Sequence, residues 1–344
     1  MLAELMKSFV KSGGSDLHLL SGQPPRMRRN GMIQAIEAAI VQSETLTAEL
    51  GSMMPAAASE RFKQNDQVDF GYEIPGVGRF RINAFEQLGG MGAVIRAIPN
   101  AVPDFKTLGL PPVIMDLCRQ RNGLILVTGK TGAGKSTTLA AMIDFINNDR
   151  HGHIVTIEDP IEFLHPNRKC LLSQREVGTH TPDFVSALRS VLREDPDVLL
   201  VGELRDPESI GLAITAAETG MLVLSTLHTD SADGSVDRVV DAFLTSKQAH
   251  VRSMLATSLR GVVSQQLLPR ADGRGRVAVL EILVNNSAIG NLIRRDQPTA
   301  IRDAMRSGAA SGMQTREQAL QELVRRDLVT AAVAAELAPQ QVAA

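Results

Sequence analysis

The chain has 344 residues, 36 Lys+Arg against 38 Asp+Glu and a formal net charge of −2. At roughly 150 residues per domain this length holds about two domains. A hydrophobic share of 44% with 22% charged residues suits folded cores and argues against a disordered tail. The balanced charge argues against a protein that mainly coats nucleic acid or an acidic membrane surface. With 3% aromatics and no Trp there is little to stack bases on, so no nucleic-acid partner is expected. Cys118 and Cys170 form no C-x-x-C pair, so neither a disulfide framework nor a cysteine zinc site is expected. Glu4 and Lys7 interrupt the N-terminal apolar residues, and no apolar run approaches the ~20 residues that span a bilayer. A cytoplasmic protein without a signal peptide is expected.

In chain order, Leu2, Leu5, Met6, Phe9 and Val10 share one face of a helix over 2–11. Lys11-Ser12-Gly13-Gly14 stops it. Residues 16–20 alternate as a strand, and Gly22-Gln23-Pro24-Pro25 turns the chain. Residues 44–64 form one or two helices, with Pro55 a break. Residues 68–74 and 78–85 alternate on either side of Pro75-Gly76, a hairpin signature, and 91–98 is a third strand. Residues 1–100 are therefore expected as a small, antiparallel, sheet-rich domain. Pro99, Pro103, Pro111 and Pro112 mark an interdomain linker over 101–112. From 113 to 344 the pattern changes. Apolar strands near 123–129, 154–157, 198–201 and 222–225 alternate with helical stretches, as in a mostly parallel sheet. The last 80 residues look mainly helical, and the tail from Ala331 is expected to fray.

Gly129-Lys130-Thr131-Gly132-Ala133-Gly134-Lys135-Ser136 fits G-x-x-x-x-G-K-[ST], and Thr137 follows it. The spacing lets successive backbone N–H groups point inward at phosphate oxygens, with a helix N-terminus behind them. Lys135 can reach the terminal phosphates, and Ser136 can ligate Mg²⁺. ATP and Mg²⁺ are the ligands expected. A glycine-rich turn that binds nothing is the plain alternative, but the flanking strand and helix patterns are those the motif needs.

Hydrolysis also needs a carboxylate beside the water. Carboxylates that follow apolar strands of a parallel sheet lie at its ligand-binding edge. Glu158, Asp159 and Glu162 follow one such strand, and Glu203 follows another with Gly202 before it. Glu162 is the candidate general base. Glu158 and Asp159 are candidates for positioning water and metal, and Glu203 for holding the Mg²⁺ shell, most simply through water. Helix capping is the alternative role for such residues. His228 follows a third strand and is a candidate sensor of the γ-phosphate. Arg79 and Arg81 lie two apart on one strand and face the same side, with Arg96 on the next. They form either a salt-bridged surface or arginine fingers for the nucleotide of a neighbouring domain or subunit.

Across nearly the whole chain these motifs resemble those of the secretion-type ATPases, and within them the type IV pilus retraction (twitching motility) motors, the PilT/PilU family. The resemblance rests on GSDLHL at 14–19, GRFRINAF at 78–85, the phosphate loop and TIEDPIE at 156–162, similar to the family's Asp box. It continues through QREVG at 174–178, LREDPDVLLVGELRD at 192–206 as an atypical Walker B segment, STLHT at 225–229 with Arg238, and GMQT at 312–315. It implies a PAS-like N-terminal domain, a RecA-like ATPase domain and a homo-hexameric ring. It further implies cyclic ATP hydrolysis that drives pilus retraction through an inner-membrane platform protein, with a paralogous ATPase as a further partner. Glu162, Glu203, His228, Arg79, Arg81 and Arg96 match family positions. Two departures stand out. Met221 takes the place of a second histidine, and the family's AIRNLIRE becomes Ala288-Ile289-Gly290-Asn291-Leu292-Ile293-Arg294-Arg295. These motivate an accessory nucleotide-binding role as an alternative. A pilus-assembly or type II secretion ATPase is a further one, but it usually carries an extra N-terminal domain and often a tetracysteine site.

Overall fold

The computed structural model describes residues 1–29, 32–98 and 102–337. Pro99 and Asn100, and the tail beyond Leu337, lie outside the described residues. The chain divides into two compact units. One comprises Met1–Ala101 with two later segments, Glu158–Leu164 and Arg175–Asp183. The other comprises Val102–Ile157, His165–Gln174 and Phe184–Ala344.

In the first unit, α1 (Leu2–Ser12) buries Leu2, Met6 and Phe9 and stops at Gly13, whose φ of 71° no continuing helix adopts. There follow β1 (Asp16–Leu20), β2 (Arg26–Arg29), β3 (Met32–Ala35), α2 (Ser43–Met53), α3 (Ala56–Asn65), β4 (Gln67–Ile74), β5 (Gly78–Gln87) and β6 (Gly90–Ile98). All the described strand pairs are antiparallel, in the order β3-β2-β1-β6-β5-β4. Alternation puts Phe70, Phe80, Ile82 and Ile95 on the face that meets Leu2, Phe9, Leu46 and Leu50. Burying each such side chain contributes about 1.5–3 kcal/mol. The same alternation sends the arginines the other way, and Arg81 sits directly opposite Arg96. The β2–β3 hairpin carries no sequence signal. Three of the four residues of β2 are arginines and β3 is exposed throughout, so no alternation of apolar residues marks either.

The second unit runs α4 (Phe105–Leu108), α5 (Pro112–Cys118), β7 (Gly123–Thr128), α6 (Lys135–Asp149), β8 (Gly152–Glu158), β9 (Cys170–Glu176), α7 (Phe184–Val191), β10 (Val198–Val201), α8 (Pro207–Glu218) and β11 (Leu222–Leu227), the last residue of β8 and the last two of β9 belonging to the first unit. It continues with α9 (Ala232–Asp241), α10 (Thr245–Ser258), β12 (Leu259–Pro269), β13 (Arg276–Val284), α11 (Ser287–Arg294), α12 (Pro298–Ser307), α13 (Arg316–Arg325) and α14 (Ala331–Leu337). The sheet order is β13-β12-β7-β11-β10-β8-β9. Strands β12, β7, β11, β10 and β8 are parallel neighbours, and β13 is antiparallel to β12.

Two expectations need correction. The linker region is folded from Val102 onward, because Phe105 and Leu110 bury in the core of the second unit. Pro111 and Pro112 fit there because helix α5 starts on them, where proline lacks no needed donor. The last 80 residues are not mainly helical at their start. They contain the end of β12 and all of β13, an antiparallel pair from Gly261↔Val284 to Pro269↔Arg276. Both strands are largely buried, so their apolar runs lack the alternation that marks a half-exposed strand.

Candidate functional site

Strand β7 ends at Thr128, and α6 begins at Lys135, so the loop 129–134 turns from strand end to helix N-terminus. Gly129, Gly132 and Gly134 have φ of 141°, 79° and 88°, a region that side chains disfavour. At Gly129 a Cβ would also lie 2.3 Å from the Gln265 carbonyl oxygen. Lys135 is buried and donates from Nζ to the carbonyls of Gly129 at 2.9 Å and Lys130 at 3.3 Å. Its ammonium is thereby folded back onto the start of the loop. Lys130 and Thr131 are exposed on the loop, Ala133 is buried under it, and Ser136 and Thr137 are half-buried in the first turn of α6.

One residue that holds this loop was missed from sequence. Gln265 on β12 is buried; its Nε2 donates to the Ala133 carbonyl at 2.5 Å, and its Oε1 accepts from Thr138 Oγ1 at 2.8 Å. A single amide thus ties the loop to the first turn of the helix. Reading the last 80 residues as helical hid it.

The neighbouring strands deliver Glu203 and His228 to each other. Thr226 Oγ1 donates to Gly202 O at 2.7 Å, and Leu204 N donates to Thr226 O at 3.1 Å, so the ends of β10 and β11 are stitched together. His228 Nε2 then lies 3.2 Å from Glu203 Oε1, and Arg205 Nη2 donates to Glu203 Oε2 at 3.0 Å. Burial pushes the Glu203 carboxyl up, but Arg205 and His228 outweigh it and hold it below the usual glutamate value. Glu203 is therefore an anion at neutral pH. Thr229 Oγ1 and Ser235 Oγ are 2.6 Å apart, and Ser235 Oγ reaches Thr128 Oγ1 at 3.4 Å, which links the His228 loop to the end of β7.

Among the described residues no group of three or more His, Cys, Asp or Glu could hold a metal by itself. Ser136 beside a helix N-terminus and an ionised Glu203 suit a hard cation whose other ligands are phosphate and water oxygens, as Mg²⁺ prefers. Both cysteines are free and buried, and burial raises their thiol pKa values, so both are poor nucleophiles.

The remaining candidates belong to the first unit. Glu158 and Glu162 are half-buried and Asp159 is exposed, on the segment 158–164. Each of the three arginines holds a carboxylate. Arg79 pairs with buried Glu176 at 2.5 Å, Arg81 with Asp69 at 3.1 Å and Arg96 with Asp16 at 2.8 Å. Arg79 is shielded, with 14% of its side chain exposed, whereas Arg96 is 62% exposed.

The model of the family described as "Type II/IV secretion system protein" matches residues 1–335. The chain belongs to this family. Among its relatives, the "Type IV pilus retractation ATPase PilT" of Pseudomonas aeruginosa is 48% identical over 329 residues, 96% of this chain and 95% of that one. The "Twitching motility protein" of Neisseria gonorrhoeae is 50% identical over 305 residues, 89% of this chain and 82% of that one. A solved structure of the pilus retraction motor PilT with bound ADP superposes with a TM-score of 0.91 at 44% identity, covering 98% of this chain and 97% of that one. Among the described residues of this secretion-family protein, no helix is long and apolar enough to cross a membrane.

Proposed function

We propose that the protein is a motor ATPase that couples Mg-dependent ATP hydrolysis to type IV pilus retraction. The observation that carries this reading is the loop 129–136 with its curled Lys135, set in the same unit as the Glu203–His228 pair. Backbone N–H groups of the loop and the N-terminus of α6 bind the phosphates, and Lys135 supplies a point charge to the terminal ones. Ser136 and, through water, Glu203 would hold Mg²⁺, which would supply charge stabilisation to the phosphates. His228, coupled to Glu203, senses the terminal phosphate. Glu162 is the general base for the attacking water, with Glu158 and Asp159 positioning it. Arg79, Arg81 and Arg96 are arginines for phosphate charge in a homo-hexameric ring, and engaging nucleotide requires each to exchange its present carboxylate. The names of the relatives support retraction, and an inner-membrane platform protein and a paralogous ATPase are the partners proposed. The first unit is taken as a PAS-like domain and the second as RecA-like, in a cytoplasmic protein docked on the membrane machinery.

Steady-state MgATPase of the purified chain tests the enzyme. Glu203→Gln is expected to lower kcat about 10²–10⁴-fold, the range for losing a positioned acid–base or metal-shell group. Wild-type turnover no higher than that of Glu203→Gln would sink the motor reading. In cells, deletion is expected to leave pili that extend and do not retract; normal retraction would reduce the role to an accessory one.

A further inference from the structure

Glu176 lies in the QREVG stretch, and none of the roles above uses it. Its carboxylate is buried, with 3% of the side chain exposed. Oε2 accepts from Arg79 Nη2 at 2.5 Å and from the backbone N–H of Ile161 at 3.2 Å. Oε1 accepts from Thr179 Oγ1 at 3.1 Å. Its own N–H donates to His180 Nδ1 at 2.9 Å, and Val177 N donates to Glu158 O at 2.8 Å. The pair lies over Gly71 of β4, where a Cβ would meet Arg79 Nη2 at 2.5 Å and Glu176 Oε2 at 3.0 Å. One carboxylate therefore joins three things: the β4–β5 hairpin through Arg79, the 175–183 segment through Thr179, and the 158–164 segment through Ile161. Ile161 is the residue before Glu162. A buried ion pair is weak evidence of stability, since desolvation offsets most of its attraction. Here it fixes the backbone next to a proposed catalytic carboxylate.

We infer that Glu176 is a positioning residue for the hydrolytic base: it clasps the segment carrying Glu162 to the N-terminal hairpin through Arg79. This rests on the proposed ATPase reading. While Arg79 holds Glu176 it fastens the Glu162 segment, so its engagement of nucleotide would release the clasp.

The test uses the full chain and two readouts. Glu176→Gln keeps the shape and removes the charge. Amide exchange over 158–164 is expected to accelerate at least about tenfold, because the Ile161 N–H loses its anionic acceptor. In steady-state assays kcat is expected to fall about 10–100-fold, the cost of a roughly 1 Å misplacement, with KM for ATP within about twofold. In a Glu162→Gln background the same change should lower the residual rate no further, since the two act as one unit. Thr179→Ala, which leaves the ion pair intact, should shift exchange and kcat in the same direction by less, and it serves if Glu176→Gln does not fold. Unchanged exchange over 158–164 overturns the clasp whatever the ATPase does. Faster exchange with wild-type kcat, or an equal fall in both backgrounds, overturns the positioning role. A wild type no more active than Glu203→Gln instead overturns the hydrolytic reading, and the exchange readout still decides whether the clasp exists.

Discussion

Burial pushes the Glu203 carboxyl up, and two specific neighbours, Arg205 and His228, hold it below its ordinary value. Removing Arg205 takes away a lowering influence, so the Glu203 pKa must rise. Arg205→Ala is therefore expected to move the acid limb of the pH–kcat profile to higher pH and leave the neutral plateau in place; an unmoved limb would show that Arg205 does not tune this carboxylate. Gln265 acts by geometry. Gln265→Leu leaves the Ala133 carbonyl and the Thr138 hydroxyl without their partner, which costs about 1–3 kcal/mol. A lower melting temperature and weaker binding of a fluorescent ADP analogue are expected together; unchanged affinity would mean the loop holds its shape unaided. The loop that carries Lys135 and Ser136 is legible from sequence because its turn from strand to helix depends only on local spacing. Gln265 is not, because it acts on a residue 132 positions away.

Among the elements, α11 shows what a departure from family pattern means physically. Gly290 is buried in its middle, and a Cβ there would stand 3.0 Å from the backbone oxygen of Ala256 in α10. Asn285 donates to that same oxygen at 3.0 Å, so it is held in place. The lost helix propensity, up to about 1 kcal/mol, is exchanged for close helix approach. Restoring the family's arginine by Gly290→Arg is therefore expected to destabilise the protein by about 1–3 kcal/mol in chemical denaturation, as overpacking does. Gly290→Ala should cost less. A Gly290→Arg protein as stable as wild type would show that α11 can withdraw freely. Arg295, exposed at the C-terminal end of the same helix, meets no such limit, and a cation suits that end of the helix dipole. The strands of this element set were legible where one face is wet, as in β4 and β5. They were missed in β12 and β13, whose central runs are buried, and in β2 and β3, which are mostly exposed.

At the scale of the whole molecule, stability against pH depends on carboxylates whose shifts oppose each other. Burial pushes Asp233 up, but the Ser231 side chain and Arg302, whose Nε and Nη2 donate to its carboxylate at 3.1 and 3.4 Å, hold it below its ordinary value of 3.8. A lowered acid contributes stability present above the unfolded pKa and lost as pH falls through the folded one. Burial raises Glu281 above its ordinary 4.5, more than Arg316 offsets. That group contributes stability present below the unfolded pKa and lost as pH rises through its raised value. Melting curves across pH 2–8 are expected to show Asp233→Asn flattening the loss below about pH 4. Glu281→Gln should flatten a decline on the other side, beginning near pH 4.5 and running upward. Parallel curves for all three proteins would show that neither group is linked to folding.

By itself the sequence determined the P-loop, the strands that flank it, the β4–β5 hairpin and the identity of most candidate residues. These depend on spacing and on hydrophobic period, which are properties of a few neighbouring residues. Only the tertiary structure decided which distant side chains meet. It set Gln265 against the 129–134 loop, His228 against Glu203, and the arginines against carboxylates of their own unit. It also assigned residues 158–164 and 175–183 to the N-terminal unit, though they lie within the ATPase half of the chain. Burial is what makes those pairings specific, because a desolvated charge or amide must find its partner wherever the fold brings one.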